Sequence, residues 1–131
     1  MRGTWIALIG AALALAGTGL ASAADWSRSQ PVAVVTVEYR FQPNRLDFRQ
    51  GVAYRLHLEN RGRELHEFTA PNFFRAVELG NPEVLNPERS EIVLHPGEQK
   101  DLYFVPLHPG RYRLTCSDHD WAGMTGEITV E

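Results

Sequence analysis

The chain has 131 residues, 44% of them hydrophobic, with 13 basic and 16 acidic side chains and a formal net charge of −3. That length suits one domain and not two, and the acidic balance excludes a nucleic-acid binder, because phosphate contacts need a basic face. The single cysteine excludes an internal disulfide.

The chain opens with the parts of a secretory leader. Met1-Arg2 is a positive start, Ile6 to Leu20 is an apolar run rich in Ala, Leu and Gly, and Ala21-Ser22-Ala23 is a small-residue cleavage site. The run is short for a membrane-spanning helix. Residues 1–23 are therefore expected to be a signal peptide, with the mature chain starting at Ala24, the periplasm as destination and no membrane attachment after cleavage. No cysteine at the site offers a lipid anchor. Residues 24–31 form a polar lead-in to a single domain over residues 32–131.

From there the sequence reads as short strands separated by turn signals. Val32 to Tyr39 is rich in β-branched residues, and Leu46 to Phe48 is a short strand ended by Gln50-Gly51. Val52, Tyr54, Leu56 and Leu58 alternate with Ala53, Arg55, His57 and Glu59, the period of a half-buried strand. Asn60-Arg61-Gly62-Arg63 turns the chain into Leu65 to Thr69. Residues 71–90 break the pattern: Asn72 to Leu79 suits a helical turn or two, and two Asn-Pro pairs punctuate the rest. Glu91 to Leu94, Lys100 to Val105, Arg111 to Cys116 and Thr125 to Val130 complete the strands. Seven or eight strands at this spacing predict an all-β, Greek-key two-sheet sandwich with a short helical or irregular excursion around residues 71–90.

The chemistry is concentrated in Cys116-Ser117-Asp118-His119-Asp120-Trp121-Ala122-Gly123-Met124. It holds the only cysteine and the only methionine beyond Met1. A thiolate, an imidazole and a thioether are donors that suit copper, and the Cys-x2-His-x4-Met spacing fits one loop closing on one ion. Alternation puts Tyr112, Leu114 and Cys116 on one strand face, and Met124, Ile128 and Val130 on one face of the last strand. A buried, inert cysteine is the plain alternative, but ligation also protects a lone thiol in an oxidising compartment.

A second histidine must come from elsewhere. His57 alternates with inward leucines and so points outward, while His95 and His108 precede Pro-Gly turns. His66 is in phase with Phe68 and is favoured on strand phase, with His95 and His108 the remaining candidates. The other histidines are scattered and form no cluster for oxygen or nitrite chemistry. An inward cysteine also does not suit a nucleophile with an adjacent base. The chain is thus not expected to be an enzyme.

These residues resemble the plastocyanin and pseudoazurin branch of the cupredoxins. The similarity runs from Val52 to Val130 and rests on His66, Cys116-x2-His119-x4-Met124, Pro109-Gly110-Arg111-Tyr112, Pro96-Gly97-Glu98 and Tyr103-Phe104. It implies one type 1 copper ion with His66, Cys116 and His119 as trigonal ligands and Met124 as the weak axial one. It also implies a one-electron carrier that meets its redox partner proteins through His119, and a monomer is expected. The alternative function for the same ligands is copper buffering, delivery or tolerance in the periplasm. One departure stands beside the site: the family carries Asn after the first histidine, bracing the ligand loop, where this chain has Glu67. Trp121, next to the loop histidine, is either a surface contact or a packing residue under the loop.

Overall fold

The computed structural model describes residues 23–131; residues 1–22, which hold nearly all of the expected leader, lie outside the described residues. Among the described residues no helix is long and apolar enough to cross a membrane.

Ten strands form two five-stranded sheets. In chain order they are β1 (Gln30–Val37), β2 (Arg40–Gln42), β3 (Arg45–Phe48), β4 (Tyr54–Asn60), β5 (His66–Thr69), β6 (Val77–Leu79), β7 (Glu91–Leu94), β8 (Gln99–Pro106), β9 (Gly110–Thr115) and β10 (Thr125–Val130), with one short helix, α1 (Pro71–Arg75), between β5 and β6. One sheet has the order β2-β1-β4-β8-β6 and the other β3-β10-β9-β5-β7. The all-β two-sheet sandwich expected from strand spacing is the architecture observed.

The alternation in the sequence builds this core directly. In β4, Tyr54, Leu56, Leu58 and Asn60 are buried and the residues between them are not. The parallel pairing of β1 with β4 sets Val34 opposite Leu58, and that of β3 with β10 sets Leu46 opposite Ile128 and Phe48 opposite Val130. One face of each sheet is thereby apolar, and the two faces meet in one cluster that includes Leu56, Leu102 and Phe104 from the first sheet and Phe68, Leu114 and Ile128 from the second.

Two elements differ from the sequence expectation. The strand expected to continue to Tyr39 stops at Val37, and Glu38-Tyr39 forms a two-residue turn into β2, whose Phe41 pairs with Thr36 and is buried. The helix expected over Asn72 to Leu79 covers only Pro71–Arg75. Pro71 occupies its first turn, where a missing N–H costs nothing, and Phe73 and Phe74 are its buried face. The chain then becomes β6, with Val77 opposite Pro106 and Leu79 opposite Phe104. The open edge of β8 supplies hydrogen bonds that a longer helix would forgo.

Phe73 anchors the excursion. Its ring stacks on Phe48 at 5.8 Å and meets Phe104 and Tyr112 edge-on at 5.3 and 5.7 Å. The candidate site lies where β5 and β9 run side by side.

Candidate metal centre

Cys116 follows the last residue of β9, and Met124 immediately precedes β10. The strand phase carries both into the interior, where each is wholly buried. Between them the backbone closes on itself: the Cys116 N–H donates to the Met124 carbonyl at 3.0 Å, and the His119 N–H donates to the Cys116 carbonyl at 3.1 Å. A 3₁₀ turn over Asp120–Ala122 follows, ended by Gly123 at φ +80°, a left-handed conformation that suits glycine. This turn leaves His119 facing back toward Cys116.

His66 opens β5 and is wholly buried. Its Nδ1 lies 3.9 Å from Cys116 Sγ, and His119 Nδ1 lies 3.4 Å from the same sulfur. One ligand atom each from His66, Cys116 and His119 falls within 4.8 Å of the others. Of the histidines weighed for the second position, only His66 reaches the thiol. His95 stands in an exposed turn, bonded through Nδ1 to Glu98 Oε1 at 2.6 Å, and His108 is exposed. His57 is half-buried, bonded to Asp101 Oδ1 at 2.6 Å.

The electrostatics of the centre are those of a buried pocket. Burial pushes the Cys116 thiol up to about 12. Burial also lowers the pKa of His66, and the neighbouring His119 adds to that effect. Two imidazoles, a thioether and a thiol in a buried pocket are the donor chemistry that copper takes. His66, Cys116, His119 and the buried Met124 are arranged as a type 1 copper site.

Glu67, where the resembled family has Asn, faces inward and is only 4% exposed. Its N–H lies 3.4 Å from Cys116 Sγ, the thiol donates to its Oε2 at 3.0 Å, and the Asp118 N–H reaches the same oxygen at 3.4 Å. The carboxyl therefore ties β5 to the ligand loop, the brace for which the family uses Asn. Burial raises its pKa, and a hydrogen bond to the thiol partly opposes this.

Trp121 is a surface residue: it is 77% exposed, and its Nε1 donates to the Asp118 carbonyl at 2.9 Å. Tyr39 lies between it and the site, with ring centroids 6.0 Å from Trp121 and 4.9 Å from His119. Tyr39, Glu38 and Glu64 approach the two histidines and were not singled out by sequence. Glu38 and Tyr39 read as the end of a continuous strand, and no spacing ties either to residue 66.

The comparisons agree with this architecture. The Cupredoxin-like domain family matches residues 6–130. The fold is similar to that of auracyanin B, with a TM-score of 0.61 and 20% identity over 82% of this chain and 93% of that one. It is also similar to dithionite-reduced auracyanin from Roseiflexus castenholzii, with a TM-score of 0.59 and 16% identity over 79% of this chain and 98% of that one. A third likeness is the metal-binding domain, with Cu(I), of the Cu(I)-exporting P-type ATPase CopA from Streptococcus pneumoniae D39. There the TM-score is 0.52 and the identity 15%, over 83% of this chain and 92% of that one. No curated protein matches the sequence. A two-sheet sandwich, a Cys-His-Met loop closing one end and a family match across nearly the whole length lead to one assignment: the chain belongs to the cupredoxin-like domain family.

Proposed function

We propose that this protein is an exported, periplasmic one-electron carrier that exchanges electrons with redox partner proteins and catalyses no reaction of its own. In this reading His66, Cys116 and His119 are the trigonal copper ligands and Met124 is the weak axial one. The observation that carries it is the convergence of His66 Nδ1, His119 Nδ1 and the buried Cys116 sulfur, from residues fifty positions apart in the chain.

Copper held by two imidazoles, a thiolate and a distant thioether supplies a one-electron change with little rearrangement. The chain's own residues do the rest. Cys116 and Met124 are shut away from water, which protects the thiolate from oxidation. The amide of Glu67 points at the sulfur and stabilises negative charge on it. His119 is the donor nearest the surface, its side chain 13% exposed, beside the exposed rings of Tyr39 and Trp121. Electrons therefore enter and leave by the His119 edge.

Purified protein loaded with Cu(II) is expected to show intense visible absorption from thiolate-to-copper charge transfer, and Cys116→Ala to lose it. A colourless copper complex of the wild type would end the type 1 assignment. The likeness to the metal-binding domain of a Cu(I) exporter favours a second reading, copper buffering or delivery. A deletion strain with copper sensitivity and intact respiratory electron flow would select that reading over the carrier.

A further inference from the structure

Both histidines of the centre present Nδ1 to the thiol, and each has a carboxylate against its other ring nitrogen. His66 Nε2 lies 3.5 Å from Glu38 Oε1, and His119 Nε2 lies 3.3 Å from Glu64 Oε2. His66 Nε2 is fully buried and makes no hydrogen bond, and the Glu38 carboxylate stands at ion-pair distance from it.

The Glu38 carboxylate is held in place by the fold. It projects from the turn between β1 and β2 across to the loop between β4 and β5. There the same Oε1 accepts the Arg63 N–H and, at 2.8 Å, the Glu64 N–H. The loop leaves room for it only because residue 62 is glycine. A Cβ there would stand 2.8 Å from the Glu38 carboxyl carbon and 2.9 Å from Oε2. Two backbone N–H groups on one carboxylate oxygen favour its charged form. Glu64 is placed differently: its side chain is 48% exposed, and it faces Tyr39, whose hydroxyl it holds above the ordinary phenol range. Tyr39 in turn lies against the His119 ring.

A carboxylate on the remote nitrogen of a ligand imidazole fixes the tautomer, orients the ring and makes the coordinating nitrogen more basic. A more basic ligand and a nearby negative charge both favour the more highly charged metal. We propose that Glu38 and Glu64 are positioning residues of the copper centre, which hold His66 and His119 with Nδ1 free for the metal and bias the centre toward Cu(II). The proposal rests on the copper reading above and adds the direction in which this chain's own carboxylates set its potential.

The test is redox titration of copper-loaded wild type, Glu38→Gln, Glu64→Gln and the double variant, with the visible spectrum recorded in parallel. Each single variant is expected to keep the charge-transfer band, because the four copper-binding side chains are untouched. Each is also expected to lose about tenfold in affinity for Cu(II) relative to Cu(I), a rise of about 59 mV. The double variant should shift further. In copper-free protein, ¹⁵N spectra should show His66 protonated at Nε2 in the wild type and less so in Glu38→Gln. An intact band with unchanged or lowered potentials overturns the proposal. A wild type without the band overturns the copper reading instead, so the two failures are distinguishable. Glu64→Gln alters a half-exposed side chain, so if Glu38→Gln does not fold, an unchanged potential in Glu64→Gln alone is enough to overturn the proposal.

Discussion

Gly126→Ala should be among the costliest single-methyl changes in this protein. Gly126 lies in β10 opposite Leu114, where the turn that leads into β3 comes close beneath it. An added Cβ would overlap the Asn44 carbonyl oxygen and stand 3.2 Å from its carbon and 3.1 Å from Leu114 Cδ2. Neither neighbour can step aside easily. Leu114 is wholly buried, and the Asn44 oxygen is backbone that accepts the Glu127 N–H at 2.9 Å. Overpacking of this kind costs about 1–3 kcal/mol, and the strained hydrogen bond adds about 0.5–1.5 kcal/mol. The stiffer unfolded chain of alanine returns only about 0.4–1 kcal/mol. The middle of these ranges, a net loss of about 2–3 kcal/mol, is a large share of a stability of about 5–15 kcal/mol. For a domain of this size it should lower the unfolding midpoint by roughly 8–20 °C. Thermal and urea unfolding of copper-free protein, followed by far-UV circular dichroism, measures this directly. A Gly126→Ala variant within about 0.5 kcal/mol of wild type would show that the turn at Asn44 yields freely, and the reasoning from close approach would fall.

Met124→Leu should retain copper but raise the reduction potential, because losing the thioether favours Cu(I); an unchanged potential would remove Met124 from the axial position. Phe73→Ala empties the junction of Phe48, Phe104 and Tyr112 and should cost about 3–5 kcal/mol in urea unfolding. A loss below about 1 kcal/mol would mean that α1 is not anchored there. Burial raises the Glu67 pKa in the folded, copper-free protein above its unfolded value. Its contribution is therefore fully present below the unfolded pKa and is lost as pH rises through the folded one. Glu67→Gln should flatten that decline in copper-free unfolding curves and leave the protein more stable near neutral pH. An identical pH profile in wild type and variant would refute the assignment.

Much of the centre could be read from sequence because it is local. Cys116, His119 and Met124 lie within one loop, and strand alternation alone carries the first and last inward. His66 was within reach for the same reason: its phase with Phe68 sets it on the inner face of β5. What escaped notice depends on contacts between distant segments. Val77-Glu78-Leu79 is too short to show a period, and it becomes a strand only because the edge of β8 is open beside it. Glu38 sits at the end of a β-branched run that reads as unbroken strand, and nothing in its neighbourhood points to His66. Its signal is spread over three segments: the acid at 38, the glycine at 62 that makes room for it, and the histidine at 66. Glu67 was visible as a departure from the family pattern, but whether it faced solvent or the loop was settled by the bond it accepts from the Asp118 N–H in the ligand loop.

The same separation between His66 and Cys116 makes the full donor set depend on the fold. The two donors approach only when β5 and β9 are side by side, and Met124 takes its place only as β10 pairs with β9. In chain order His66 comes first, and the other three donors follow fifty or more residues later, within nine residues of one another. The loop by itself carries three of the four donors, and the full set exists only where the closed sandwich brings β5 against it.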